Sequence, residues 1–389
     1  MSHSILEISQ RDEVPTPCYL MDESLLARNL KILDHVQQES GGKIILALKG
    51  FAMWSTFPQI SQTLCGTTAS SLSEARLGME KFGGEVHAYC VAYRDPEMDF
   101  LRKHCHHITL NSLSQWQRFQ HHVNQPETTA SFGLRINPEY SEVETDIYNP
   151  CRKGSRFGIT ATDLANADAS ILEGIDGLHF HTMCEQNSDT LERTLEHVEA
   201  KFGTYLQTMK WLNCGGGHHI TRPDYDTDRL VRLIQHLRAA YDLEVYLEPG
   251  EAVALNTGFL ITRVIDRFNS DGHPIAILDT SAAAHMPDVL EMPYRPEILG
   301  ASDPGEKKHT ITLGGTTCLA GDVIGDWSFD EDLKVGDRLV FTDMAHYSMV
   351  KTNHFNGVDH PAIGRYHHQT DEVIIDRQFT YEDYRDRLS

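Results

Sequence analysis

The chain lacks any hydrophobic run long enough to cross a bilayer, and its opening, MSHSILEISQRDEVPTP, has no basic region followed by an apolar core. Neither a secretory leader nor a membrane span is expected, and the sequence reads as that of a soluble, cytoplasmic protein. Paired cysteines are missing too. The 8 cysteines include no C-x-x-C and no framework spacing, which argues for free thiols in a reducing compartment rather than disulfides or structural zinc. Positive charge is scarce: 34 lysines and arginines stand against 56 aspartates and glutamates, for a formal net charge of −22. That balance disfavours nucleic acid and anionic membrane as partners and suits a cationic small molecule. Low-complexity segments are absent as well.

What is present is an ordinary globular composition, 40% hydrophobic and 23% charged, in 389 residues. That is too long for one simple core, and two domains are expected. Apolar or β-rich runs recur with ends that read ILALKG, CGTTASS, VHAYCVA, HITLNS, FGLRINP, GLHFHT, WLNCGGG and VYLEPG. Between them lie stretches of helical periodicity such as SLSEARLGMEKFG and DTLERTLEHVEAKFGTYLQTM. Strand then helix, repeated eight times over roughly 250 residues, is the pattern of a (β/α)8 barrel. After Asn256 it gives way to strand runs with turn signals: FLITRVIDRF, PIAILDTS, HTITLGGTTC and DRLVFTDMA. The expected organisation is an α/β barrel over residues 22–255 and a mostly-β domain over residues 256–389 that residues 1–21 join, the chain starting in the β domain with the β-like TPCYLMD run.

In such a barrel the chemistry sits where strands end at the C-terminal face. A lysine closing a strand ordinarily just turns its ammonium to water. Here Lys49 after the first strand is matched by Arg135 after the fifth, His179 and His181 in the sixth, Gly215 to Gly217 after the seventh and Glu248 after the eighth. Consecutive glycines after a barrel's seventh strand offer backbone amides to a phosphate. Lysine, phosphate cradle, flat imidazole and carboxylate together match the needs of pyridoxal phosphate. The paired histidines of HFH, HCHH and GGHH also admit a metal-dependent hydrolase. Against it, H-x-H lies on the sixth strand rather than the first, and no metal is expected; HCHH itself reads as a helix end or loop with solvated imidazoles.

In the order and spacing of these motifs the sequence resembles the pyridoxal-phosphate decarboxylases of alanine-racemase fold, among them the ornithine and diaminopimelate decarboxylases. LALKGFAMWSTFP, GLHFHTMCEQN and HMPDVLEMPYRPEI are most similar to the branch acting on carboxynorspermidine and carboxyspermidine. The resemblance implies that Lys49 is the Schiff-base lysine, His181 the ring-stacking imidazole and Glu248 the partner of the pyridine nitrogen. Gly215, Gly216, Gly217 and Tyr347 would hold the phosphate, with Arg135 and Glu74 near the cofactor. Cys318 and Asp322 of TTCLAGD match a segment that in relatives enters the neighbouring subunit's site, the cysteine protonating the carbanion and the aspartate meeting a substrate amine. A homodimer with shared active sites follows. For the cationic tail of a carboxylated polyamine, Asp288 and Glu291 are the charge-based candidates.

The departures from the family pattern are Glu251, where many relatives carry a basic residue after E-P-G, and Met183 with Cys184, where relatives have glycine and serine. Leu319 replaces the acidic residue of diaminopimelate enzymes and counts against that substrate. A diaminopimelate or ornithine decarboxylase, a racemase of the same fold and a non-catalytic cofactor carrier are the alternatives. The racemase would need a tyrosine where Cys318 stands, and the carriers lack a β domain.

Overall fold

The first strand, β1 (Cys18–Asp22), is buried throughout its CYLMD run and joins strands from the last third of the chain rather than those that follow it. The computed structural model describes residues 4–389. Two compact units emerge, one formed by Asn29–Val253 and one by the remaining described residues, and the division falls inside the helix Glu23–Ser40.

The unit Asn29–Val253 is a closed parallel barrel. Its strands are β2 (Lys43–Ala47), β3 (Gly66–Ala69), β4 (Glu85–Tyr89), β5 (His107–Leu110) and β6 (Ser131–Asn137), the last flanked by the two-residue β7 (Ile159–Thr160). β8 (Ile175–His179), β9 (Trp211–Asn213) and β10 (Glu244–Leu247) complete it. β2 pairs with β10 at one side, and the pairing of β5 with β6 brings the sheet round on itself. All eight runs picked out by sequence are barrel strands. They read as nearly continuous apolar segments because both faces of a parallel sheet are covered.

Size complementarity fills the barrel. A Cβ on Gly133 or Gly177 would fall 2.3 Å or 2.0 Å from the Trp211 ring, so the two glycines on β6 and β8 make the space that the indole occupies. Outside, the helices Ser188–Leu206 and Thr227–Tyr241 turn Leu191, Leu195, Val198, Phe202, Leu230, Ile234 and Leu237 inward at helical spacing. Asp226 caps the second of these, and Asp242 ends it in the left-handed conformation.

The other unit is mostly sheet, built from β11 (Gly258–Ser270), β12 (His273–Leu278), β13 (His309–Gly314), β14 (Val323–Phe329), β15 (Arg338–Phe341), β16 (Ala362–His367) and β17 (Glu372–Arg377). β1 lies between β11 and β16, antiparallel to the first and parallel to the second. Sequence patterning picks out β11, β12, β13 and β15 but not β14, β16 or β17. Gly325 and Asp326 interrupt β14, and β17 is largely exposed, so neither offers a clean apolar signal. No helix among the described residues is long and apolar enough to cross a membrane.

Candidate active site at the C-terminal end of the barrel

Lys49 stands two residues beyond β2, after the buried Leu48 and before Gly50. Gly50 is needed there because a Cβ would press to 3.3 Å from the backbone of Gly250 and Glu251 on the neighbouring turn. The lysine side chain is reachable by water, yet protein surrounds its amine on the other sides. Loss of hydration is the main cause that lowers its pKa, and the Arg135 guanidinium lowers it further; Glu248, Cys184 and Glu74 oppose. Among the described residues, no hydrogen bond or ion pair holds the Lys49 amine.

Glu248 follows β10 and is held from several strands at once. His179 Nε2 lies 3.1 Å from Oε2, and Asn213 Nδ2 donates to Oε1 at 2.7 Å. Burial alone would raise its pKa, but His179 and the Thr68 hydroxyl outweigh burial and bring it down to about 2. Burial also lowers the pKa of His179 itself, and the Glu248 carboxylate opposes that shift by charge and hydrogen bond. His179 in turn stacks on Tyr89 with ring centroids 5.2 Å apart.

His181 accepts a hydrogen bond at Nδ1 from the Gly216 amide, 2.9 Å away, which leaves the proton of the neutral ring on Nε2. Burial, then Lys49 and Arg135, push its pKa well below the usual histidine range. The imidazole is therefore neutral, flat and fixed in orientation. Arg135 donates to the His181 carbonyl at 3.1 Å, and its guanidinium lies over the rings of Tyr89 and Phe157. Glu74, at the start of the helix Leu72–Leu77, accepts from the Ser70 amide at 2.6 Å; burial raises its pKa. Lys49, Glu74, Arg135, His181 and Glu248 thus come together at the end of the barrel where the strands terminate.

The glycine turn departs from the expectation of three open amides. Gly215 donates to Asn213 Oδ1 at 2.8 Å and Gly216 to His181, so only the Gly217 amide is without a protein acceptor among the described residues. The glycines are required by close packing: a Cβ would stand 2.3 Å from the Phe180 carbonyl at Gly215, 2.5 Å from that of Glu248 at Gly216 and 2.0 Å from that of Met183 at Gly217. Asn213, Thr68 and Tyr89 are site residues that sequence reasoning missed; the signal available was a polar side chain at or near the end of each strand.

The remaining candidates belong to the sheet unit. Cys318 is exposed, and its amide donates to Asn356 Oδ1 at 2.8 Å. Tyr347 has a positive φ of 49°. Asp322, expected to meet a substrate amine, is instead a buried staple: it accepts from Ser281 Oγ at 2.9 Å, the Ala283 amide at 3.2 Å, and the Thr317 amide and hydroxyl at 3.1 and 2.6 Å. Of Asp288 and Glu291, offered for the substrate tail, Asp288 is half-buried and paired while Glu291 is exposed. Lys351 pairs with Asp288 and lies 3.6 Å from Glu291.

HCHH also needs correction. His104 and His106 are exposed, but His107 begins β5 inside the barrel and stacks on Trp211 at 4.3 Å; burial brings its pKa down to about 2.

A sequence profile described as "Pyridoxal-dependent decarboxylase, C-terminal sheet domain" matches residues 18–345. The chain is 47% identical over 386 residues to a carboxyaminopropylagmatine decarboxylase of Synechocystis, covering 99% of this chain and 98% of that one. It is 42% identical over 384 residues to a carboxynorspermidine/carboxyspermidine decarboxylase of Campylobacter jejuni, covering 96% and 98%. A crystal structure of carboxynorspermidine decarboxylase from Campylobacter jejuni, complexed with norspermidine, superposes with a TM-score of 0.88 at 41% identity, over 96% of this chain and all of that one.

Proposed function

This chain belongs to the pyridoxal-dependent decarboxylases, and on that premise we propose that it decarboxylates carboxynorspermidine and carboxyspermidine, giving norspermidine and spermidine in polyamine biosynthesis. One observation carries the reading: at a single end of the barrel, the unpartnered amine of Lys49 meets Glu248, held by His179 and Asn213, and His181, fixed by the Gly216 amide.

The residues fit pyridoxal phosphate. An amine with no protein partner, a firmly ionised carboxylate, a neutral imidazole and the Gly217 amide make a donor set for an aldehyde, a ring nitrogen, a ring face and a phosphate. When bound, that cofactor supplies an electron sink for the pair released as carbon dioxide leaves. Lys49 holds it through its amine, and a lowered pKa keeps more of that amine neutral and nucleophilic. Glu248, oriented by His179 and Asn213, keeps a proton on the ring nitrogen. His181 presents its flat neutral ring, and the Gly217 amide and Tyr347 bind phosphate. Cys318 from a second copy of the chain returns a proton to the carbon that lost its carboxylate, which makes the working protein a homodimer. The excess of acidic residues supports a cationic substrate, and eight free thiols support a cytoplasmic setting.

The relative at 47% identity supports a second reading, carboxyaminopropylagmatine, whose tail ends in a guanidinium rather than an ammonium. Carbon dioxide release by the purified, cofactor-loaded protein separates the two. Carboxynorspermidine, carboxyspermidine, carboxyaminopropylagmatine, diaminopimelate and ornithine are offered side by side. The triamines are expected to exceed the rest in kcat/KM by at least about tenfold, the worth of one well-placed polar contact. Preference for the agmatine derivative would transfer the assignment to the second reading, and release from none would overturn both.

A further inference from the structure

Three side chains that play no part in the chemistry above converge beside the glycine turn. Glu185 lies four residues beyond His181, His219 two beyond Gly217, and Glu251 directly after the E-P-G that follows β10. One ligand atom from each lies within 4.8 Å of the other two. His219 supplies the independent sign of a ligand. Its side chain is only 8% exposed, and its Nε2 is sealed from solvent without a hydrogen-bond partner. That nitrogen lies 3.3 Å from Glu251 Oε2, an ion-pair contact when the ring is protonated and a co-ligand spacing when it is neutral. Two donors bound to one tetrahedral cation at about 2.0–2.2 Å stand about 3–3.5 Å apart, the spacing of His219 Nε2 and Glu251 Oε2, with a Glu185 oxygen within 4.8 Å of both.

The surroundings connect this cluster to the barrel mouth. Burial raises the pKa of the Cys184 thiol, the charges of Glu185 and Glu251 raise it further and that of Lys49 opposes, so the cluster and Lys49 both act on this side chain. Three strand-end turns, those after β8, β9 and β10, each contribute one ligand, so the fold rather than a single flexible loop brings them together.

We propose that Glu185, His219 and Glu251 bind one divalent transition-metal cation at the C-terminal end of the barrel. Two carboxylates and one imidazole, without a thiolate, suit zinc or manganese, and the two negative charges neutralise the ion. This departs from the expectation of no metal drawn from sequence. That expectation weighed histidine pairs such as HFH, whereas the ligands here come one from each turn.

The test is calorimetric titration of Zn²⁺ and, separately, Mn²⁺ into the cofactor-loaded protein after chelator treatment. One ion per chain is expected, with affinity lowered at least about tenfold in His219→Asn and in Glu251→Gln. Glu185→Gln alters an exposed side chain and should weaken binding without disturbing the fold, as circular dichroism would verify. Absence of one-to-one binding by either metal, or equal affinity in the wild type and all three variants, would overturn the site. Binding is read without turnover, so the outcome is independent of the substrate assignment.

Discussion

Lys43 and Lys49 lie six residues apart, one opening β2 and the other just past its end, and the barrel treats them in opposite ways. Lys43 is surrounded by partners: Glu85 at 3.0 Å, Glu244 at 3.2 Å and the Tyr246 hydroxyl at 2.9 Å. Burial lowers its pKa, but the two carboxylates more than compensate and the net shift is upward. For Lys49, loss of hydration and then the Arg135 charge outweigh Glu248, Cys184 and Glu74, and its pKa falls. Around Lys43 the interior is closed by His87, His107, Trp211 and Tyr246 in ring-to-ring contact. Ion pairs and hydrogen bonds hold the lysine at one end of the barrel, while the amine left without a partner at the other end is available for chemistry.

Substituting the two lysines in parallel sharpens that contrast most. Lys49→Ala is expected to lower kcat by at least about a thousandfold and to abolish the visible absorption of protein-bound cofactor, with little change in Tm. Lys43→Ala should do the reverse, retaining the absorption band and most of kcat while melting earlier. A Lys49→Ala enzyme that keeps its band and turns over would remove Lys49 from its role.

Next in size is Glu248→Gln. The amide preserves shape but cannot hold a proton on a ring nitrogen, so kcat should fall by about 10²–10³-fold with KM little changed. Full-rate decarboxylation would break the division between the two ends, because Glu248 would then be as structural as Glu85.

The same contrast marks what was legible in the sequence. Lys49, His181 and Glu248 could be found because each ends a run that reads as a buried strand, and position along a barrel strand predicts role. Asn213 and Thr68 could not be found that way: they act by converging on Glu248 from β9 and β3, and convergence across strands leaves no periodic trace. His107 was misread because its burial depends on Trp211, which itself depends on the missing side chains at Gly133 and Gly177. Asp322 carries a similar lesson. Its carboxylate suggested a partner for a cation, but four neighbouring donors occupy it.

The smallest expected effect concerns the closed end. Glu85 accepts from Lys43, faces His87 Nε2 at 3.0 Å and accepts from the Tyr246 hydroxyl at 3.1 Å. Burial would raise its pKa, but the hydrogen bonds from His87 and Lys43 take it well below 4.5. Glu85→Gln should therefore cost about 1–3 kcal/mol at neutral pH without changing kcat. A depressed carboxylate contributes stability above its unfolded pKa and loses it as pH falls through the folded value. A raised lysine contributes below its unfolded pKa of 10.5 and loses that as pH climbs through the folded value. The Tm difference between wild type and Glu85→Gln should accordingly be level between about pH 5 and 10 and shrink toward both extremes. Thermal melts across that range check it, and a difference that grows in acid would mean that Glu85 is destabilised, not stabilised, by its buried surroundings.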